Sequence, residues 1–104
     1  LGHTILARNW RSDHLEIDII SIGMDGIHFV EVKARRKNIQ AAPQENVGYK
    51  KQARITKAAT SFLKSREGVP YGSHECSFDV VAVTFAGDEA KLEWIPQAYI
   101  PIYL

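Results

Sequence analysis

Two acids and a lysine occupy positions where charge is seldom buried. Asp18 lies in "LEIDIISI" (15–22), and Glu31 and Lys33 lie in "IHFVEVKAR" (27–35), runs that otherwise read as strands. "MDG" at 24–26 is turn chemistry, so the two runs predict a β-hairpin. With Met24 and Asp25 as the central turn residues, Asp18 lies across from Glu31 and Glu16 across from Lys33. With Asp25 and Gly26 there instead, Asp18 faces Lys33. Either two-residue loop puts Glu16, Asp18, Glu31 and Lys33 on one side of adjacent strands, because a slip by two residues preserves the side.

Facing carboxylates repel unless a cation lies between them or one is protonated. Hard oxygen donors suit Mg²⁺ or Mn²⁺. A lysine beside such an ion can orient or deprotonate a water, or stabilise charge growing on a phosphate oxygen. That division of labour is metal-dependent phosphodiester hydrolysis; the alternative is a cross-strand ladder of ion pairs. Asp79 with Glu89-Ala90-Lys91 repeats the pattern as a decoy. Glu89 falls at the Gly87-Asp88 turn, where a carboxylate is solvated, and Asp79 is expected to satisfy a nearby Lys, Arg or backbone donor.

The elements that must position these residues follow in order. Residues 3–11, "HTILARNWR", are apolar-rich but irregular in period and read as a strand. "RKNIQAAPQENVG" (36–48) is a long connection. From Tyr49 to Arg66 the period becomes helical, with Ile55, Ala58, Ala59, Phe62 and Leu63 as an apolar stripe, and Gly68 and Pro70 end the helix. "FDVVAVTF" (78–85) is a strand covered on both faces, "KLEWI" (91–95) returns as another, and "PQAYIPIYL" (96–104) is an apolar tail that packs across the body. This order predicts one α/β domain: a mixed central sheet with an antiparallel hairpin, then a helix and further strands.

The chain has 104 residues and a net charge of +1, enough for one core and no sign of a polyanionic partner in the total. The distribution differs: residues 33–66 hold ten basic side chains against the single acid Glu45. Such a local field attracts phosphates. Arg35, Arg36 and Lys37, together with Lys50, Lys51, Arg54 and Lys57 on the helix, are the candidate nucleic-acid contacts, and Trp10 and Tyr49 could stack on bases. No apolar run approaches the roughly 18 residues of a membrane span, so a cytoplasmic protein without a membrane partner is expected. The single Cys76 fits a reducing compartment and reads as inert filling. His3, His14, His28 and His74 are scattered, without paired-ligand spacing for zinc, and His28 is expected on the strand side opposite Glu31.

"ILARNWR", "EIDII", "FVEVKAR", "KKQARITKAA" and "FDVVAV", in that order, resemble the YraN-like endonuclease family. That family is a distant relative of archaeal Holliday-junction resolvases in the PD-(D/E)xK nuclease superfamily, so the resemblance implies a restriction-endonuclease-like fold and cleavage of DNA, branched DNA included. It further implies that Asp18 and Glu31 ligate Mg²⁺ or Mn²⁺ with the Val32 carbonyl, that Lys33 is the catalytic lysine, that Glu16 supports the site, and that Lys51 and Gln52 reach the scissile phosphate or its water. Leu15 stands where many members have Gly, and Gly48 where a capping Thr is common. The family's upstream helix, whose Gly-Glu pair completes the centre, is expected to precede this chain. Its loss would leave the chain short of an acid and uncover sheet surface that favours a homodimer. The competing reading is a non-catalytic nucleic-acid-binding module that uses the basic helix face alone.

Overall fold

The computed structural model describes residues 2–36 and 48–100. The tip of the long connection, Lys37 included, and the end of the tail therefore lie outside the described residues. Five strands form one sheet in the order β1-β2-β3-β4-β5. They are β1 (Thr4–Ser12), β2 (Leu15–Gly23), β3 (Gly26–Arg36), β4 (Cys76–Ala86) and β5 (Glu89–Ile95). Helix α1 (Tyr49–Lys64) and the short 3₁₀ turn Val69–Tyr71 lie between β3 and β4. β3 and β4 are parallel and every other pair is antiparallel, so the sheet is mixed and the fold is α/β, as expected. A parallel pair needs a crossover, and α1 supplies it.

The hairpin takes the first of the two registers: Ile22 pairs with Ile27 and Gly23 with Gly26, leaving Met24 and Asp25 as a two-residue loop. Gly26 has φ 127°, and a Cβ there would lie 2.3 Å from the Glu75 carbonyl oxygen. Only glycine fits both demands.

β1 and β2 share an irregularity that explains the broken period of "HTILARNWR". Ala7 and Trp10, three residues apart, both pack on the core, and so do Ile17 and Ile20. Strict alternation would send one member of each pair to the opposite side. The reversal falls between those pairs, and Asn9 there has φ 50°. Asn is among the few side chains that tolerate the left-handed region.

The core lies between the sheet and α1. Ile55, Ala58, Ala59 and Phe62 of the expected stripe are buried, Leu63 is partly so, and Thr56 joins them with its hydroxyl donating to the Gln52 carbonyl at 2.8 Å. Phe62 meets Trp10 and Phe29 edge to face, at ring separations of 5.4 and 6.2 Å. Trp10 is thus partly buried against the core. The described part of the tail packs only in part: the Ala98 N–H donates to the Phe78 carbonyl at 2.8 Å and the Tyr99 ring lies 5.5 Å from Phe78, while Ile100 is exposed.

Candidate functional site

The regular β2–β3 ladder runs from the turn to Ile19 and Val30 and ends there. Two residues beyond Val30, the Val32 N–H donates to Asp18 Oδ2 at 2.8 Å instead of to a backbone carbonyl. The carboxylate has taken the place of a strand partner, which ties Asp18 to the backbone between Glu31 and Lys33. The reversal in β2 produces this geometry: at the point where the strand changes side, its side chain turns toward the neighbouring strand.

Ile27 and Phe29 point to α1, and alternation sends Glu31 and Lys33 the same way, beyond the edge of the core. Glu31 keeps only 11% of its side chain exposed and pairs with Lys51 Nζ at 2.7 Å. A nearly buried carboxylate requires such a partner. Lys51 comes from the first turn of α1, whose N-cap Gly48 offers no side-chain acceptor. Lys33 and Gln52 are likewise engaged by neighbours. Asp18 is thus tied to the β3 backbone next to Glu31, and Glu31 to Lys51 at the start of α1.

Glu16 does not join them. It lies between Leu15 and Ile17, both of which pack on the core, and its carboxylate pairs with Arg11 at 3.6 Å on the exposed surface. The even loop that should have kept it beside Lys33 is present, but the reversal between Ile17 and Ile20 cancels the parity. Lys50, Arg54 and Lys57 are exposed on α1, as is Tyr49. Arg35 and Arg36 close β3 opposite Thr84 and Phe85. Val32 is about one-third exposed on the other side of the sheet from Glu31.

A second constellation, which sequence reasoning missed, lies on the side of the sheet away from α1. His28 Nδ1 contacts Asp79 Oδ2 at 2.6 Å, and its Nε2 contacts Asp25 Oδ1 at 2.9 Å. Burial opposes charge on His28, but the bonds to Asp25 and Asp79 outweigh it and raise the pKa. Asp25 is correspondingly lowered, first by its bond to His28. His3 lies against His28 with the rings tilted by 40° and their centroids 4.4 Å apart, and hydrogen-bonds Ser21 Oγ through Nδ1 at 3.1 Å. Two of the four histidines scattered along the chain, His3 and His28, therefore meet in space.

Asp79 is fully buried and also accepts from Ser77 Oγ, Trp94 Nε1 and the Gln97 N–H, at 2.5, 3.0 and 3.1 Å. A backbone donor does satisfy it, as expected, and its side-chain donors include a histidine, a serine and a tryptophan. The signal available in the sequence was the hairpin register, which sets His28 across from Ser21. Cys76 is half-buried, and burial followed by the charge of Glu75 raises its thiol pKa, which leaves it a poor nucleophile.

The model of the uncharacterised protein family UPF0102 matches residues 1–83. The chain belongs to family UPF0102. Proteins named for UPF0102 in Stutzerimonas stutzeri (strain A1501) and Syntrophus aciditrophicus (strain SB) are 37% and 40% identical over 98 residues, covering 94% of this chain and 80% and 75% of their own lengths. A third, in Nitratidesulfovibrio vulgaris (strain DP4), is 39% identical over 98 residues and is covered to 71%. UPF0102 is the YraN-like family that the five sequence blocks resemble. Among the described residues of this UPF0102 chain, no helix is long and apolar enough to cross a membrane.

Proposed function

We propose that this chain is a Mg²⁺- or Mn²⁺-dependent endonuclease that hydrolyses phosphodiester bonds in DNA, with its centre at Asp18, Glu31 and Lys33. The observation that carries the reading is the bond from the Val32 N–H to Asp18. It holds one acid against the backbone that bears the other acid and the lysine, where a plain hairpin would hold a carbonyl.

The donor set fits a hard divalent ion: two carboxylates, with the Val32 carbonyl as a further oxygen. When bound, the ion would polarise the phosphate and lower the pKa of a coordinated water. Lys33 would orient or deprotonate that water, or stabilise the charge that develops on a phosphate oxygen. Lys51 neutralises Glu31 at 2.7 Å. An entering ion would compete for this carboxylate and release the ammonium toward a phosphate at the same spot. Gln52, one residue on, could orient the water or the phosphate. Water adds to phosphorus, the sugar oxygen departs with a proton, and the products are an alcohol and a phosphate monoester.

The exposed Lys50, Arg54 and Lys57 also support a second reading, a module that binds nucleic acid without cutting it. Asp18→Asn and Lys33→Ala separate the two when cleavage and binding of linear and branched DNA are measured with Mg²⁺, Mn²⁺ or EDTA. The nuclease reading expects cleavage that EDTA abolishes and that each variant lowers by on the order of 100-fold or more, while DNA binding persists. Binding without any metal-dependent cleavage by the wild type favours the module, and cleavage indifferent to both variants rejects the site.

A further inference from the structure

We propose that His3, Asp25 and His28 form a second metal site, selective for Zn²⁺ and separate from the Asp18–Glu31 centre. One ligand atom from each of the three lies within 4.8 Å of the others. Distance alone would be weak grounds, and three further observations carry the assignment.

Each imidazole is anchored through Nδ1, His3 on Ser21 Oγ at 3.1 Å and His28 on Asp79 Oδ2 at 2.6 Å. The atom left for coordination on each ring is therefore Nε2. Histidines that ligate zinc are commonly oriented through the other ring nitrogen by a carboxylate or a hydrogen-bonding oxygen. Asp79 is held in turn by Trp94 Nε1 at 3.0 Å, and the Trp94 ring meets His3 and His28 edgewise at 5.6 and 6.0 Å. One flank of the cluster is thus apolar and rigid.

Gly23 leaves the required space. A Cβ there would lie 2.8 Å from His3 Nε2 and 3.0 Å from Asp25 Oδ1, so any side chain at 23 would intrude on both ligand atoms. Asp25 is exposed at the hairpin turn, and an ion can enter from solvent on that side.

Two nitrogens and one carboxylate oxygen are a zinc donor set, whereas the acids beside Lys33 offer only oxygens. Bound Zn²⁺ would displace the proton on His28 Nε2 to solvent, keep the Nδ1–H bond to Asp79, and complete a tetrahedron with water. It would join the start of β1 to the β2–β3 turn and so stabilise the fold.

The test uses chelator-stripped full chain with Mg²⁺ in excess, titrated calorimetrically with Zn²⁺ alone and followed in parallel by Co²⁺ absorption. His28→Ala would strand the buried Asp79, so His3→Ala and Asp25→Asn are the informative variants, with their folds checked by circular dichroism. The expected result is one Zn²⁺ per chain, tetrahedral Co²⁺ bands, a raised melting temperature, and an affinity at least tenfold weaker in each folded variant. No stoichiometric binding, or binding unchanged in both variants, overturns the site. Loss of zinc binding in Asp18→Asn with both other variants unaffected would move the ion to the nuclease centre and overturn it equally.

Discussion

His28 shows how one side chain couples charge to stability. Its two ring nitrogens meet two carboxylates, and these raise its pKa against the opposing effect of burial. A group whose pKa is raised on folding stabilises the protein fully below its unfolded value, about 6.5 for histidine, and loses that contribution as pH rises through the folded value. With chelator present, the urea midpoint should therefore fall as pH increases above about 6.5. Asp25→Asn removes one of the two carboxylates, so the fall should still begin at about pH 6.5 but be smaller and end at lower pH. A midpoint flat across that range in the wild type would show that folding does not raise the His28 pKa. Asp25 acts at the opposite end: its lowered pKa gives a contribution that is lost only as pH falls through the acid range.

At the scale of the element, the reversal in β1 and β2 makes the candidate centre possible. It lets Ile17 and Ile20 both reach the core while Asp18, between them, turns to the Val32 N–H. Asn9 hosts the corresponding left-handed backbone in β1. Asn9→Val should cost about 1–2 kcal/mol, because a β-branched residue is strained at positive φ, whereas Asn9→Gly should be nearly neutral. Denaturant melts of the two variants decide this. Equal stabilities would mean that the strand pair can relax without the kink. If the kink also positions Asp18, Asn9→Val should lower metal-dependent cleavage in the fraction that remains folded.

For the whole molecule, charge is partitioned rather than accumulated. A net of +1 conceals ten basic residues in 33–66, and α1 presents Lys50, Arg54 and Lys57 to solvent beside the Glu31–Lys51 pair. If these side chains meet phosphates, affinity for DNA falls with salt along a log–log line whose slope counts the contacts. Replacing the three with alanine should flatten that slope by roughly 2–3 and weaken all sequences alike. An unchanged slope would place the DNA on another surface. The proposed nuclease centre and the proposed zinc site lie on opposite sides of the sheet, so an ion at one would leave the approach to the other open.

The residue pattern alone determined the element order, the mixed sheet, the two-residue turn as one of two registers, and the identity of Asp18, Glu31 and Lys33 as a group worth examining. Those properties are local: alternation, helical period and turn chemistry act over a few neighbours. The fate of Glu16 was not legible, because the reversal of β2 between Ile17 and Ile20 changes which side it faces. The pairing of Lys51 with Glu31 depended on where α1 docks. Histidines at 3 and 28 share a site only because β2 lies between their strands and the turn carries Asp25 back to them. Long-range proximity follows from how strands register and helices pack, and no spacing along the chain encodes it.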